Sequence, residues 1–155
     1  MSGGGAGTGV AGGGAGTGVA GGGAGKEESM QARKRDRELD EAIRELARAD
    51  TLAFGGVGFA GQTLAPTAAY QALERMLPAR AEDLRGRLTG LLTDATPAGK
   101  AYAASLLDRF DPAAGRAAWE SLSGDDGALT TFTGCVMGRS TLGEYARDRL
   151  RPDDR

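Results

Sequence analysis

Residues 96–122 read TPAGKAYAASLLDRFDPAAGRAAWESL and contain two marked helix starts. Thr96 precedes Pro97 and Asp111 precedes Pro112, so in each case a capping side chain stands before a proline that fits the first helical turn. The apolar residues that follow at helical spacing are Tyr102, Leu106 and Phe110 in the first segment and Ala118, Trp119 and Leu122 in the second. The stretch therefore predicts two short helices with almost no connection between them, which must pack antiparallel.

The first predicted helix covers residues 28–50 and carries a narrow apolar stripe on a charged surface. The stripe consists of Leu39, Ile43 and Leu46. The basic run RKRDR is interleaved with acidic residues so closely that a solvated helix with local ion pairs is favoured over a nucleic-acid patch. A structural or regulatory role through coiled-coil pairing along the stripe is an alternative.

Prolines and capping residues divide the rest of the chain. Pro66 opens a second helix, and Pro78 ends it and starts a third, because proline fits a first turn but not a helix interior. Thr141 and Glu144 have the spacing of a capping box and open the last helix. Serial helical hairpins of this kind predict an all-α fold, either a compact bundle or a short HEAT-like α-solenoid.

The N-terminus is a glycine repeat. GGGAGTGVA begins at residue 3, recurs at residue 12 and starts again at residue 21. Such a segment cannot offset its backbone entropy by burying side chains, so residues 1–27 are expected to be a disordered tail and residues 28–155 a single helical domain. Helical patterning begins soon after Met30, which makes Met30 a candidate alternative start in the native protein.

The composition limits the chemistry. The chain has 155 residues, a net charge of −2, one Cys and no His. The mildly acidic balance argues against nucleic acid as the main partner, and the lack of His removes the commonest general base and metal ligand. The sequence shows no secretory signal and no apolar run of the roughly 18 residues that a membrane span needs. We therefore expect a cytoplasmic protein without cofactor, metal or membrane partner.

The segment FGGVGFAG, residues 54–61, has the glycine spacing of a dinucleotide-binding loop. Such a loop needs a strand before its first glycine and a helix that opens at its last. Here a predicted helix runs almost up to the segment, and Pro66 delays the next one. The segment is therefore expected to be an irregular connector whose glycines supply positive φ angles or close backbone approach. We expect Phe54, Val57 and Phe59 to pack under the helices and the segment to pair with the β-prone residues 128–138.

Six residues are candidates for a site or an interface. Cys135 is the only thiol, and its small apolar neighbours and the lack of a His to activate it predict a buried structural residue. Tyr102 and Trp119 are expected in the core, or as interface anchors if they are exposed. An alternative site at the glycine-rich loops 54–61 and 133–140 would be lined by Phe59, Cys135, Arg139 and Ser140.

Three short motifs carry a family resemblance. They are VGFAG at Val57–Gly61, LTGLLTDATPAGKAYAASLL at Leu88–Leu107 and TGCVMG at Thr133–Gly138. With these motifs, the chain from Phe54 to Leu122 resembles the short HEAT-like helical domains of uncharacterised proteins from GC-rich bacteria. The resemblance implies a helical fold and no catalytic residue.

The sequence favours a non-enzymatic module that binds another protein. Stacked helical hairpins present extended surfaces to partners, and the motifs of common enzymes and cofactor sites are not intact. The alternative is a small-ligand-binding or hydrolytic protein with its site at the two glycine-rich loops.

Overall fold

Five helices and one β-hairpin follow one another in the described part of the chain. The structure is a computed structural model that describes residues 4–56 and 61–152, with the backbone alone over residues 4–24. The elements are α1 (Gly4–Ala47), α2 (Ala65–Asp94), α3 (Pro97–Phe110), α4 (Pro112–Leu122), β1 (Ala128–Thr133), β2 (Val136–Thr141) and α5 (Leu142–Leu150). The protein is thus mostly helical, and the hairpin is the departure from an all-α fold.

The chain divides into two compact units, Met1–Glu38 and Leu39–Arg155. In the first unit, the side chains of residues 25–38 are all exposed. In the second unit, burial begins at its first residue, Leu39. The sequence-based boundary after residue 27 marks where helical patterning starts, whereas the division after Glu38 marks where apolar side chains begin to be buried.

Helix α1 begins at Gly4, within the glycine repeat. The composition predicts a disordered tail over residues 1–27, because each glycine costs a helix about 1 kcal/mol relative to alanine. The disordered tail stays a prediction.

Helix α3 lies at the centre of the second unit. Every residue from Ala98 to Leu107 except Lys100 is buried. Its small and apolar side chains on all faces are typical of a helix that is packed on every side. Helices α2 and α4 pack against it, and α5 and β1 also contact it.

The apolar stripe of α1 belongs to the same core. Leu39 and Leu46 are completely buried in the second unit, and Ile43 packs against them partly buried. The coiled-coil interpretation is therefore wrong, because the side chains it needs are already buried within the chain.

The predicted helix caps are confirmed. The Thr96 hydroxyl accepts a hydrogen bond from the Gly99 N–H at 3.2 Å, and the Asp111 carboxylate accepts one from the Ala114 N–H at 3.1 Å. The Ala114 N–H lowers the pKa of Asp111 below its usual value, with a further contribution from Arg85.

The capping box at the start of α5 is also confirmed. The Thr141 hydroxyl accepts from the Glu144 N–H at 3.1 Å, and the Glu144 carboxylate accepts from the Thr141 N–H at 3.2 Å. These reciprocal hydrogen bonds end strand β2 and begin α5 at the same residue.

The second and third predicted helices form one kinked element. Helix α2 contains Pro78, and Arg80 has non-helical angles of φ −128° and ψ 30°. Proline removes a hydrogen-bond donor and crowds the preceding turn, which explains a break at this point. Element α2 therefore consists of two helices that meet at a kink just after Pro78, which confirms the predicted division at this point.

Strands β1 and β2 form an antiparallel hairpin with a two-residue turn. Thr133 pairs with Val136, so the turn is Gly134-Cys135, and Gly134 has φ +62°. A glycine at the first turn position is the signature of a type II′ hairpin.

The hairpin is joined to the connector between α1 and α2. The Leu52 N–H donates to the Thr130 carbonyl at 2.8 Å, and the Phe132 N–H donates to the Leu52 carbonyl at 2.9 Å. Pairing between the connector and the stretch 128–138 thus occurs at Leu52, two residues before the glycine-rich segment.

Gly99 is a packing requirement that substitution can test. A Cβ at Gly99 would overlap the Leu46 carbonyl, whereas a Cβ at Gly90 on α2 would meet open space. We expect Gly99→Ala to lower the free energy of unfolding by about 1–3 kcal/mol through overpacking. Gly90→Ala should raise it by about 0.5–1 kcal/mol, because alanine is the better helix former. Urea unfolding measures both, and equal effects of the two changes would contradict the packing argument.

Candidate functional site

An open groove of about 600 Å³ lies in the second unit, between α2, α3, α5 and the connector that precedes α2. Helix α2 contributes Tyr70, Gln71 and Glu74, and helix α3 contributes Ser105, Asp108 and Arg109. Arg149 of α5 and Phe54 of the connector complete the lining. Within each of these two groups, the residues are one, three or four positions apart in the sequence. The three side chains of each group therefore lie on one side of their helix.

A buried polar network fixes the connector beneath this groove. The Ala53 N–H donates to the Tyr102 hydroxyl at 2.8 Å, and the Tyr102 hydroxyl lies 2.7 Å from the Ala53 carbonyl. The Thr67 hydroxyl donates to the same carbonyl at 2.7 Å. Tyr102 and Thr67 are both completely buried. Both backbone polar groups of Ala53 are thus satisfied by side chains from α2 and α3.

Phe54 rests on two tyrosines at the groove. Its ring packs edge-to-face on Tyr70 with centroids 5.0 Å apart and on Tyr102 with centroids 5.5 Å apart. Phe54 is 42% exposed, so the expectation that it packs under the helices is wrong. The space below the connector is occupied by Tyr102, whose hydroxyl binds the neighbouring backbone, and Phe54 remains on the surface.

Two glycines of the connector, Gly56 and Gly61, behave as the sequence predicts. Gly61 has φ +62°. A Cβ at Gly56 would overlap the backbone of Gly61, so the two ends of the segment approach each other closely. In the described residues, no strand precedes Gly56 in the way a dinucleotide-binding loop requires. Residues 57–60 lie outside the described residues.

The charged side chains of the groove differ in their pairing. Arg109 and Glu74 form an ion pair at 2.9 Å. The Arg149 guanidinium lies over the Trp119 ring, 5.8 Å from its centroid, and among the described residues no carboxylate forms an ion pair with it. The same holds for Asp108, which forms no ion pair with a described cation. The groove therefore offers one cation and one anion to a ligand beside an aromatic surface.

Tyr70 is a neutral group at physiological pH. Its pKa is raised to about 12, mainly by burial and also by the nearby Glu74 carboxylate, while Arg109 and Arg149 oppose the shift. Burial also raises the pKa of Tyr102 and of Tyr145. The Tyr70 hydroxyl therefore keeps its proton at neutral pH.

The six candidates from the sequence fall in separate places. Tyr102 and Trp119 are in the core, as expected, with Tyr102 under Phe54 and Trp119 under Arg149. Phe59 lies outside the described residues. Arg139 is exposed and Ser140 is half-buried, both on β2. Neither they nor Cys135 line the groove.

The expectation of a buried Cys135 is wrong. Cys135 is exposed at the second position of the hairpin turn. The turn forms here because Gly134 adopts a positive φ angle, and a two-residue turn directs its side chains away from the sheet. The small apolar neighbours predict a core position, but Gly134 belongs to the turn, and Val136 and Met137 lie exposed at the start of β2.

Sequence reasoning did not identify Phe54, Glu74, Asp108, Arg109 and Arg149 as site residues. The spacing of Tyr70 and Glu74 on one helix face was visible. Their meeting with α3 and α5 depends on how the helices pack, for which the sequence carries no comparable signal.

Within residues 4–56 and 61–152, no group of three or more acidic or Cys side chains could hold a metal ion. In the same residues, no helix combines the length and the apolar character of a membrane span. Comparisons with protein-family models, curated proteins and solved structures find no match to this chain.

The buried network can be tested by removing one hydroxyl. Tyr102→Phe would leave the buried Ala53 N–H without its partner, and we expect the free energy of unfolding to fall by about 1–3 kcal/mol. Tyr145→Phe is the control, because the Tyr145 hydroxyl makes no hydrogen bond to described residues, and its effect should stay within about 0.5 kcal/mol. Chemical denaturation measures the free energy of unfolding of both variants. Equal losses would show that the hydrogen bonds of Tyr102 do not stabilise the connector.

The tyrosine pKa shifts predict a loss of stability at high pH. The folded state holds the Tyr70 proton to a pKa of about 12, compared with the ordinary tyrosine value of 10.0. Its contribution is therefore complete below pH 10, and the free energy of unfolding should fall as the pH rises from 10 to 12. Tyr70→Phe should show a shallower fall over this range. Urea unfolding at fixed pH steps, with tyrosinate absorbance recorded in parallel, tests this; identical slopes would contradict it.

Proposed function

We propose that this protein is a non-enzymatic helical module that binds another protein through the groove beside Phe54. The observation that supports this proposal is the exposed aromatic ring, which is held from below by Tyr70 and Tyr102. Aromatic and Arg side chains contribute most of the binding energy in many protein interfaces. A ring that is already ordered loses little entropy when a partner binds.

The partner that fits this groove is a peptide segment with mixed character. An apolar side chain would pack on Phe54 and Tyr70, a carboxylate would bind Arg149, and a basic group would bind Asp108. Two opposite charges at a groove favour one orientation of such a segment and disfavour partners with the reverse order of charges.

We further propose that the second unit is a compact bundle or a short HEAT-like stack of helical hairpins. Only Asp111 separates α3 from α4, and only Ala95 and Thr96 separate α2 from α3. Connections this short favour antiparallel neighbours. A groove on the joined faces of α2 and α3 is a common location for partner binding in stacked hairpins, which supports the proposal by analogy with the fold.

We also propose, from composition, that the protein acts in the cytoplasm and that nucleic acid is not its main partner. The net charge of −2 provides no surplus of cations for phosphate.

A small-molecule ligand is the second candidate. The volume of about 600 Å³ lies in the range of ligand pockets, although the groove is open to solvent. A hydrolytic site at loops 54–61 and 133–140 is the remaining alternative. Of its proposed residues, the structure describes Cys135, Arg139 and Ser140.

Site-specific photo-crosslinking tests the proposal in cells of the source organism. A photoreactive benzophenone amino acid replaces Gln71 in the groove or, as the control, Thr89, which is exposed on the other half of α2. We expect a discrete cross-linked protein from position 71 and none from position 89. Phe54→Ala should reduce its yield at least tenfold, because truncating an aromatic anchor costs 2 kcal/mol or more.

Met30→Ala provides a matched control for Phe54→Ala, because Met30 is also exposed and apolar but lies in the first unit. Its cross-linking yield should not change. The same product from both positions, or no protein product from position 71, would contradict the proposal. A small adduct on position 71 in the mass spectrum would favour the small-ligand candidate instead.

A further inference from the structure

The outer edge of β2 has backbone groups that the hairpin does not use. Thr133 and Val136 flank the two-residue turn and so form a hydrogen-bonded pair. Because hydrogen-bonded and non-hydrogen-bonded pairs alternate, Gly138 and Ser140 also face β1 with their N–H and C=O groups. Met137 and Arg139 must then direct theirs away from β1.

The hydrogen bonds of Leu52 support this assignment independently. The cross-strand partners of Met137 and Arg139 are Phe132 and Thr130. Both partners direct their backbone groups away from the hairpin, because the Phe132 N–H and the Thr130 carbonyl bind Leu52. The alternation read from the turn therefore agrees with the hydrogen bonds on the opposite edge.

The open edge is short and exposed. Met137 is 52% exposed and the adjacent Val136 is 69% exposed. At one end the edge stops at the turn, and at the other end the Thr141 N–H is already bound to Glu144. Within the described residues, the backbone groups of Met137 and Arg139 have no hydrogen-bond partner. Unpaired edges of this kind are templates for another strand.

We propose that a second copy of this chain pairs with this edge, antiparallel, about a twofold axis at Gly138. Met137 of each copy then lies opposite Arg139 of the other, and both members of each pair exchange N–H···O=C bonds. Four backbone hydrogen bonds join the two hairpins into one four-stranded sheet. This inference goes beyond the proposed function, because it uses a different surface and a different partner.

The side chains of the edge favour this register. Arg139 is the only charged residue between Ala128 and Thr141. The proposed register places each Arg139 opposite an apolar methionine and not opposite the other Arg139, so no like charges face each other directly. The two Gly138 residues meet at the axis in a closely spaced pair and have no side chains to collide. The methionine can pack on the aliphatic part of the arginine.

Two charge variants test the register. In Met137→Arg, an arginine faces Arg139 of the other copy twice per dimer, and the dimer dissociation constant should rise between roughly twofold and thirtyfold. In Met137→Glu, the same positions attract, and dimerisation should be as strong as in the wild type or stronger. Sedimentation equilibrium of the full chain under reducing conditions measures the constants. Equal weakening by both variants would overturn the register.

Two further variants separate edge pairing from general apolar adhesion. Met137→Pro removes an outward N–H without removing a hydrogen bond of the hairpin, and it should weaken the dimer strongly. Val136→Ser changes an exposed apolar side chain whose backbone groups face β1 and which lies opposite Ser140 of the other copy, so it should weaken the dimer far less than Met137→Pro does. A loss of association in Val136→Ser alone would overturn the proposal, as would a wild-type chain that stays monomeric at millimolar concentration. Circular dichroism verifies that each variant is folded.

The single cysteine provides a distance test. Cys135 is exposed and lies three residues from Gly138. The twofold axis therefore separates the two Cys135 residues by roughly 20 Å along the strands. Spin labels on Cys135 should give a distance distribution centred near this separation in pulsed electron–electron double resonance. Adjacent labels would indicate a parallel or tip-to-tip association and would overturn the antiparallel arrangement.

Discussion

The second unit depends on one buried group, the hydroxyl of Tyr102. This hydroxyl binds both polar groups of the Ala53 backbone, and Thr67 shares the same carbonyl. In an interior of low polarity these bonds are strong, and leaving one of their members unpaired is costly. A buried connector without regular structure has no backbone partners of its own for its N–H and C=O groups. At Ala53, side chains of α2 and α3 supply these hydrogen bonds instead.

The same constraint produces the candidate binding surface. Because Tyr102 occupies the space below the connector, Phe54 is placed on the tyrosine rings and not beneath them. The groove's polar side chains then come from helices that are already held by the core around α3. Sites on rigid elements hold their side chains more precisely than sites on loops. Only Phe54 lies on a connector, and it is the residue that the buried network fixes.

The sequence predicted local features well and long-range ones poorly. Thr96, Asp111 and Thr141 determine helix starts through hydrogen bonds within three residues, so their positions could be read directly. The kink after Pro78 and the close approach of Gly56 to Gly61 are local in the same sense. The meeting of Glu74 with Arg109, and of Trp119 with Arg149, depends on helix packing and has no such signal. Cys135 was misplaced because small residues are common both in cores and in turns, and only the pairing of Thr133 with Val136 distinguishes the two.

Two fixed points explain why an exposed aromatic ring can be well ordered here. On one side of Phe54, the backbone of Ala53 is held by the Tyr102 and Thr67 hydroxyls. On the other side, Gly56 lies so close to the Gly61 backbone that no Cβ fits between them. A residue between two such points has little backbone freedom left, and two tyrosine rings restrict its side chain. Much of the entropy that a flexible loop would lose on binding a partner is therefore already lost on folding, which is the condition under which a small groove can bind tightly.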